Sequence, residues 1–335
     1  MLLTLSRWLR KAAAVAGRRL KDYQGRTLDR AFVFPWRGRI LLLGLSPQSH
    51  LRPVGVPQKR LTYWVQALCW EQAEAPDFPR NGRQPERPPA SRVCHVIITH
   101  LDAARNGRMV AEWKRLDPEA LILLAHGGSR EDFESLPQGV DAFYVDDPAL
   151  RTRDHAREKQ EYLGVIKAAA TYLRDFPDIS HIHLLEYDVV PMVSGLGQKL
   201  VACLITEDAD LCGSGMYDLT GTVHPHLLNQ ADDQAIGAFL RNLSCREDKG
   251  RVLTMLGCTS IWTRACFESI ARLEPPGRIY LEIASPTLAH HLGWRVRPLP
   301  EAQNRSLTFY GDLGDQAEAL ASQGAWMIHP SKKRW

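Results

Sequence analysis

The stretch that decides the fold is His181-Ile182-His183-Leu184-Leu185-Glu186-Tyr187-Asp188-Val189-Val190-Pro191. Its apolar run follows a polar, proline-containing segment at residues 176–180, and this pattern predicts a buried strand. The strand ends on two carboxylates separated by one aromatic residue. Ligands of α/β proteins bind outside the carboxyl ends of the strands, so a site is expected here.

The two acids, Glu186 and Asp188, admit two interpretations. In an extended segment they point to the same side, where their oxygens suit Mg²⁺ or Mn²⁺ that also holds phosphates. Burying carboxylates is costly unless something positive meets them, so such a pair invites a cation or a sugar hydroxyl. Alternatively, they are two solvated acids at a strand-to-loop junction, where acidic residues are common. The surrounding sequence has to decide between the two.

The chain around this stretch has the pattern of a doubly wound α/β domain. Apolar runs predict strands at residues 39–45, 93–99, 120–125, 142–145, 210–215, 257–262 and 295–299. Helical spacing of apolar residues predicts helices at residues 103–116, 154–174, 195–205, 232–243, 264–273 and 285–291. The alternation predicts an α/β fold with a mostly parallel central sheet and helices on both faces.

Prolines and charges concentrated between residues 75 and 91 predict an exposed linker. We therefore predict an N-terminal extension at residues 1–75, a linker at 76–91 and the main domain at 92–335. The extension begins with apolar residues at helical spacing, interleaved with Arg and Lys, over residues 2–21. This basic amphipathic helix either lies on an anionic membrane surface, or directs the chain to an organelle, or packs on its own domain.

The composition is that of a soluble globular protein that can bury a large core, with 335 residues, 44% hydrophobic and 24% charged. The net charge of +4 suits phosphate-bearing ligands or an anionic membrane surface, but is too small to indicate nucleic-acid binding. Seven scattered cysteines without a Cys-x-x-Cys disfavour a disulfide framework and a structural zinc site. No apolar run reaches the ~18 residues that cross a bilayer. We expect a cytoplasmic protein, with residues 2–21 as the candidate for peripheral membrane contact.

Several familiar signatures are absent. The first core strand is not followed by Gly-x-Gly-x-x-Gly, and the chain has neither a phosphate-binding P-loop motif nor a Gly-x-Ser-x-Gly elbow. Pairs of histidines lack a third or fourth ligand at zinc spacing, and we predict that they are structural or surface groups. These pairs are His181/His183, His224/His226 and His290/His291.

Polar residues also follow the first three core strands. In a parallel sheet they would share one edge with Glu186 and Asp188, where a nucleotide would bind. The alternative is that they only form turns. A basic cluster at the start of the 154–174 helix suits phosphate contacts or a solvated helix face. The candidate nucleotide contacts are Thr99, His100, Asp102, His126, Asp146, Asp147 and Arg153.

Taken together, residues 92–333 resemble the nucleotide-sugar-dependent glycosyltransferases of the GT-A fold. The resemblance rests on three strand–helix units before the acid pair, the Gly-Cys-Thr-Ser-Ile-Trp-Thr-Arg segment from Gly257, and the late His329-Pro330-Ser331-Lys332. It implies that Glu186-Tyr187-Asp188 corresponds to the family's Asp-x-Asp motif. In that motif the second acid binds Mn²⁺ or Mg²⁺ bridging the diphosphate, and the first reaches the ribose or the cation. Glu186 in place of Asp is a departure from the pattern.

The resemblance also implies roles for later residues. His329 would complete the metal shell and Lys332 would lie near the phosphates. Glu282, just before a late helix, would be the general base toward the acceptor hydroxyl, with Asp218 as a rival beside Asp232 and Asp233. Two aromatic residues, Tyr217 and Trp262, would form either a stacking wall for an acceptor sugar or part of the core.

The expected activity is transfer of a sugar, of the hexosyltransferase type, from a nucleotide-diphosphate donor to a hydroxyl acceptor such as a glycan or a lipid-linked sugar. One alternative is a sugar-phosphate nucleotidyltransferase, which would carry a glycine-rich basic loop after the first strand. Residues 99–108 lack such a loop. The other alternative is a non-catalytic protein that binds nucleotides or carbohydrates.

Overall fold

The computed structural model describes residues 91–147, 150, 162–218, 234–247, 251–277, 279–308, 312–332 and 334–335, together with the backbone of five strands before residue 54. The chain forms two compact units, one of residues 1–73 and 221–234 and one of residues 74–220 and 235–335. Of the linker predicted at 76–91, only Ser91 is described, so the predicted domain division stays a prediction.

The first unit contains short antiparallel strands. They are β1 Leu20–Lys21, β2 Thr27–Leu28, β3 Arg30–Trp36, β4 Arg39–Leu45 and β5 Arg52–Pro53. Strand β1 pairs with β2, and β4 pairs with β3 and β5. The strand predicted at 39–45 is therefore confirmed. The helix predicted at 2–21 is wrong at its last two positions, which form β1, and its other residues lie outside the described part of the chain.

The second unit is built on a sheet of seven strands. Its strands and small two-stranded ladders are β6 Arg92–Thr99, β7 Leu121–His126, β8 Asp141–Tyr144, β9 Ile179–Glu186, β10 Val190–Pro191, β11 Leu211–Gly213, β12 Tyr217–Asp218, β13 Leu253–Thr254, β14 Thr259–Thr263, β15 Val296–Pro298 and β16 Met327–Ile328. The order across the large sheet is β15-β11-β14-β9-β6-β7-β8.

One strand of this sheet runs against the others. The pairs β6–β7, β6–β9, β7–β8 and β11–β15 are parallel, whereas β14 is antiparallel to both β9 and β11. Six strands therefore run in one direction and β14 alone is reversed. The mostly parallel sheet is confirmed. The reversal of β14 was not predicted, because an apolar run carries no information about its own direction.

The helices complete the layers. They are α1 Ala103–Leu116, α2 Arg130–Glu134, α3 Tyr162–Tyr172, α4 Leu196–Thr206, α5 Gln234–Leu243, α6 Arg264–Ala271, α7 Leu281–His291, α8 Glu301–Asn304 and α9 Ala317–Ser322. Helix α1 has the predicted bounds because the Asp102 carboxylate accepts the Arg105 N–H at its start. Within the described ranges, no helix has the length and apolar character needed to cross a membrane.

Alternating side chains of β6 show that both faces of the sheet are covered. Cys94 and Val96 belong to a core cluster with Val165 of α3 and Phe267 of α6. On the other face, the His95 ring lies 4.7 Å from the ring of Trp113 in α1, and α4 approaches the strand at Val93. The predicted helices on both faces are therefore confirmed.

Candidate metal centre

The acid pair is held between two neighbouring strands. The Glu186 N–H donates to the Cys258 carbonyl and the Tyr187 N–H donates to the Ile98 carbonyl, each over 2.9 Å. The chain then turns, and β10 pairs with β16. This pairing brings His329, the residue after β16, to the edge of the sheet where the acids lie.

Three side chains meet at this edge. His329 Nε2 lies 3.3 Å from Asp188 Oδ1 and 3.9 Å from Glu186 Oε2. One ligand atom from each of these residues falls within 4.8 Å of the other two. Two carboxylates and an imidazole are a donor set that divalent cations accept in proteins. The residues that sequence and resemblance pointed to as metal ligands are thus placed together.

The orientation of His329 suits coordination. Its Nδ1 lies 2.5 Å from the Thr308 carbonyl oxygen, which can only accept, so Nδ1 carries the proton and donates it. The other nitrogen, Nε2, is therefore the one that faces the carboxylates. A backbone carbonyl that fixes the tautomer in this way is a common outer partner of metal-binding histidines.

The pKa of His329 reflects its burial and its contacts with Cys258 and Asp188. Burial alone would lower its pKa, but contacts with Cys258 and with the Asp188 carboxylate raise the pKa to about 10. A protonated imidazole thus balances the carboxylates when no cation is bound. A cation at this position would supply that positive charge instead, and the three side chains fit such an ion.

The residues predicted after the first three strands do lie at the carboxyl ends of β6, β7 and β8. His100 is exposed, and its ring meets the Tyr187 ring edge-on at 4.7 Å. It is therefore in contact with the residue between the two acids. Asp146 is exposed and Asp147 is half-buried. Their role in binding a nucleotide stays a prediction.

Three other candidate nucleotide contacts form hydrogen bonds or an ion pair within the fold. The Thr99 hydroxyl bonds Asn106 Oδ1 and receives the Leu101 N–H. Asp102 caps α1 and pairs with Arg105 at 2.7 Å. His126 is fully buried, with Nε2 3.1 Å from the Leu101 carbonyl oxygen, and burial lowers its pKa. These bonds supply a structural role for each residue, and a role in nucleotide binding stays a prediction.

The two candidate bases differ in their surroundings. Glu282 lies in the first turn of α7, and its carboxylate accepts the Gly257 N–H over 3.2 Å. Gly257 precedes Cys258, the residue that pairs with Glu186. Asp218 instead forms an ion pair with Arg251 at 3.0 Å. The rivals Asp232 and Asp233 lie outside the described residues, as does Arg153.

Lys332 and Trp262, for which the sequence also predicted roles, differ in exposure. Lys332 is exposed, three positions after His329. Trp262 is fully buried and its ring meets Phe267 edge-on at 5.7 Å. The hypothesis that Trp262 forms a stacking wall is therefore wrong, because β14 turns this side chain into the core.

Sequence reasoning missed groups that hold His329 and the backbone around Asp188 in place. Besides Thr308, these are Ser331, whose N–H donates to the Asp188 carbonyl over 2.9 Å, and Trp335, whose indole N–H donates to the Tyr187 carbonyl over 2.7 Å. The His-Pro-x-Lys pattern pointed to this segment. It carried no signal for contacts made through backbone carbonyls, since every residue has one.

Neither a protein-family model nor a curated protein sequence matches this chain. Solved structures similar to it include the WbbM bifunctional glycosyltransferase, with 14% identity, a TM-score of 0.39 and coverage of 77% of this chain and 47% of that one. Mannosyltransferase PcManGT from Pyrobaculum calidifontis, solved with GDP-Man and Mn²⁺, has 12% identity, a TM-score of 0.35 and coverage of 72% and 62%. Mouse xyloside xylosyltransferase 1 has 10% identity, a TM-score of 0.36 and coverage of 72% and 98%.

All three are glycosyltransferases. This chain spans less than two thirds of the length of the first two. The function proposed below rests on this chain's own side chains.

Proposed function

We propose that this protein is a divalent-metal-dependent glycosyltransferase that moves a sugar from a nucleotide-diphosphate donor to a hydroxyl acceptor. One observation carries the proposal. Glu186, Asp188 and His329 bring their ligand atoms within 4.8 Å of one another at the carboxyl edge of a mostly parallel sheet. That edge is where α/β proteins bind nucleotides.

The three side chains would hold Mn²⁺ or Mg²⁺, which both accept carboxylate oxygens. A cation bound there supplies positive charge to a nucleoside diphosphate as it leaves the sugar. The exposed ammonium of Lys332 would add to this charge, because it follows His329 on the same short segment. His100, in contact with Tyr187, would border the donor.

Glu282 is the preferred base toward the acceptor. The residue is only 8% exposed, and its carboxylate accepts the N–H of Gly257, which precedes Cys258. Asp218 is instead held in an ion pair with Arg251, which would have to be broken before its carboxylate could reach an acceptor. In the proposal, Glu282 accepts the proton of the acceptor hydroxyl while the sugar carbon becomes cationic.

The acceptor class follows from the reaction, a hydroxyl on a glycan or on a lipid-linked sugar. The predicted membrane contact would run through residues 2–21, of which only Leu20 and Lys21 belong to the described part of the chain. Nothing in the described part of the chain supports that contact.

A thermal-shift panel of nucleoside diphosphates and nucleotide sugars, with and without Mn²⁺, tests the proposal. We expect stabilisation by a nucleoside diphosphate only when Mn²⁺ is present, by about 2.7 kcal/mol at a ligand concentration 100 times Kd. Asp188→Ala should abolish it. Asp178→Ala is the matched control, because Asp178 is an exposed acid before the other end of β9, paired with Arg92.

Donor hydrolysis and transfer to simple sugar acceptors then separate the alternatives. Release of a nucleoside diphosphate supports glycosyl transfer, whereas exchange of pyrophosphate into the nucleotide sugar indicates a nucleotidyltransferase. Binding without turnover indicates a binding protein. If no nucleotide raises the melting temperature under any metal condition, the proposal is wrong.

A further inference from the structure

The segment that carries His329 is attached to the acid pair at more than one point. We define this closing segment as residues 327–335. Its strand β16 pairs with β10, the Ser331 N–H donates to the Asp188 carbonyl over 2.9 Å, and the Trp335 indole N–H donates to the Tyr187 carbonyl over 2.7 Å. The segment therefore supplies one candidate ligand and also binds the backbone that presents the other two.

The Tyr187 carbonyl lies in the peptide that joins Tyr187 to Asp188. The N–H of Tyr187 donates to the Ile98 carbonyl of β6, and the pairing of β9 with β6 ends at Glu186. Beyond that point the orientation of the next peptide no longer follows from the sheet ladder. Trp335 bonds its oxygen, so the indole fixes the plane from which the Asp188 side chain projects.

A small rotation of this peptide would move the Asp188 carboxylate. Its Oδ1 now lies 3.3 Å from His329 Nε2, within the three-residue cluster. Metal sites tolerate deviations of only about 0.2 Å in ligand distances. A group that holds the peptide plane thus acts on metal affinity without touching the metal.

We propose that Trp335 is a positioning residue of the metal centre. Its indole N–H holds the Tyr187–Asp188 peptide so that Asp188 and His329 can bind the same cation. This inference rests on the proposed function, because it requires a cation at this position. The neighbouring ion pair of Arg334 with Glu112 of α1, 3.6 Å long and half-exposed, adds a second attachment beside Trp335. Exposed pairs of this kind contribute little free energy, so the indole bond is the one to test.

The test uses the full chain and compares two tryptophans. Trp335→Phe removes the N–H donor and keeps an aromatic ring. Trp326→Phe is the matched control, because Trp326 bonds its surroundings through its backbone, with its N–H on Gln303 Oε1 and its carbonyl accepting from Met192. The dissociation constant for Mn²⁺ is measured from the electron paramagnetic resonance signal of free Mn²⁺, and the melting temperature is measured without metal.

We expect Trp335→Phe to raise the Mn²⁺ dissociation constant about ten-fold, the usual effect of removing an outer partner of a metal ligand. Trp326→Phe should leave it unchanged. Without metal, the melting temperatures of the two variants should agree. A purely structural role for Trp335 would lower the melting temperature and leave the affinity of the folded protein unchanged, and that result would overturn the inference.

A second variant covers the case in which phenylalanine packs poorly. Trp335→benzothienylalanine replaces the N–H by sulfur and preserves the ring shape, so a ten-fold rise in the dissociation constant supports the inference and wild-type affinity overturns it. If wild-type protein binds Mn²⁺ and both Trp335 variants bind it equally well, only this inference fails. If wild-type protein binds no Mn²⁺, the proposed function fails as well.

Discussion

Strand β9 carries two clusters of histidine and acid that behave in opposite ways. In the middle of the strand, His183 belongs to a buried network with His95, Asp117 and Thr259. At its carboxyl end, Glu186 and Asp188 meet His329. Both clusters combine histidine with a carboxylate, so that combination alone does not distinguish a structural cluster from a candidate metal centre.

The first cluster is closed. His95 Nε2 lies 2.9 Å from Asp117 Oδ2, its Nδ1 lies 2.8 Å from His183 Nδ1, and His183 Nε2 lies 2.7 Å from Thr259 Oγ1. Asp117 also accepts the Gly197 N–H over 2.6 Å. Each ring nitrogen of the two histidines has a protein partner, and all four side chains are buried. Such a network stabilises the fold and requires no ligand.

The second cluster has two carboxylates for one imidazole, at an edge of the sheet. A cation satisfies more carboxylate oxygens than one histidine can. The comparison teaches that the balance of acids against donors, together with position along the strand, separates the two cases. A variant that disrupts the His183 cluster should therefore lower the free energy of unfolding. A variant that disrupts the cluster of Glu186, Asp188 and His329 should instead lower the affinity for Mn²⁺.

The largest effect is expected for Asp188→Asn. The amide keeps the shape of the side chain but removes the charge, so Mn²⁺ affinity should fall at least about 100-fold. The free energy of unfolding without metal should change less than this, because loss of the pair with His329 is partly offset by removal of the repulsion between Asp188 and Glu186. Calorimetric titration with Mn²⁺ and urea unfolding measure the two quantities. Unchanged Mn²⁺ affinity would contradict the assignment of this cluster.

The converse variant is His183→Ala. It removes the His183 partner of His95 Nδ1 and of Thr259 Oγ1 and opens a cavity, so the free energy of unfolding should fall by about 3 kcal/mol. The Mn²⁺ affinity of the folded protein should stay the same. His181→Ala is the control on the same strand, because the His181 ring bonds the neighbouring Ser180 and lies at the other end of the strand. A loss of Mn²⁺ affinity in folded His183→Ala would show that the clusters are coupled.

Lowering the pH should destabilise the buried cluster of His95, His183, Asp117 and Thr259. Burial, and then the nearby His95, hold the pKa of His183 well below 6.5. Burial would raise the pKa of Asp117, but the hydrogen bonds from His95 and the Gly197 N–H outweigh it and lower the pKa. Both folded groups resist protonation more than the unfolded groups do, so protons favour the unfolded chain.

The stability that His183 contributes is therefore present above pH 6.5 and is lost as the pH falls through and below that value. The contribution of Asp117 is present above pH 3.8 and is lost below it. Urea unfolding at a series of pH values measures this loss. In His183→Phe the decline that begins near pH 6.5 should be smaller than in the wild type, although His126 and His181, whose pKa values are also lowered, still contribute. If the free energy of unfolding declines with pH equally in both proteins, His183 does not contribute to the decline.

The smallest effect is expected for Glu186→Asp, which restores the Asp-x-Asp pattern. Glu186 Oε2 is already 3.9 Å from His329 Nε2, against 3.3 Å for Asp188, and a shorter side chain would withdraw it further. We expect the Mn²⁺ affinity to fall about three-fold. This is less than the roughly ten-fold loss that follows removal of an outer partner of a metal ligand. Tighter binding would instead show that Glu186 serves another group, such as the donor ribose.

Much of the fold could be predicted because local rules fix it. Helix α1 was predicted at its observed bounds, since Asp102 caps the start of its apolar periodicity. The strand at 39–45 was likewise predicted. His183 was predicted to be a structural or surface group, and its buried bonds to His95 and Thr259 show the structural alternative.

What could not be predicted depends on contacts between distant segments. The direction of β14 is set by pairing with β9 and β11. The burial of Trp262 depends on which face that strand presents to α6. The bonds of His329 Nδ1 to the Thr308 carbonyl and of the Trp335 indole to the Tyr187 carbonyl end on backbone oxygens, for which the sequence has no marker.

The indole bond between Trp335 and Tyr187 joins residues 148 positions apart. Closing a loop of that length costs conformational entropy that local contacts do not repay, so such contacts form slowly in folding. The parallel pairing of β6, β7 and β9 spans shorter stretches of chain and can form without it. A refolding chain would thus form its sheet before it gains the proposed affinity for a cation. The appearance of metal binding would then report when folding is complete.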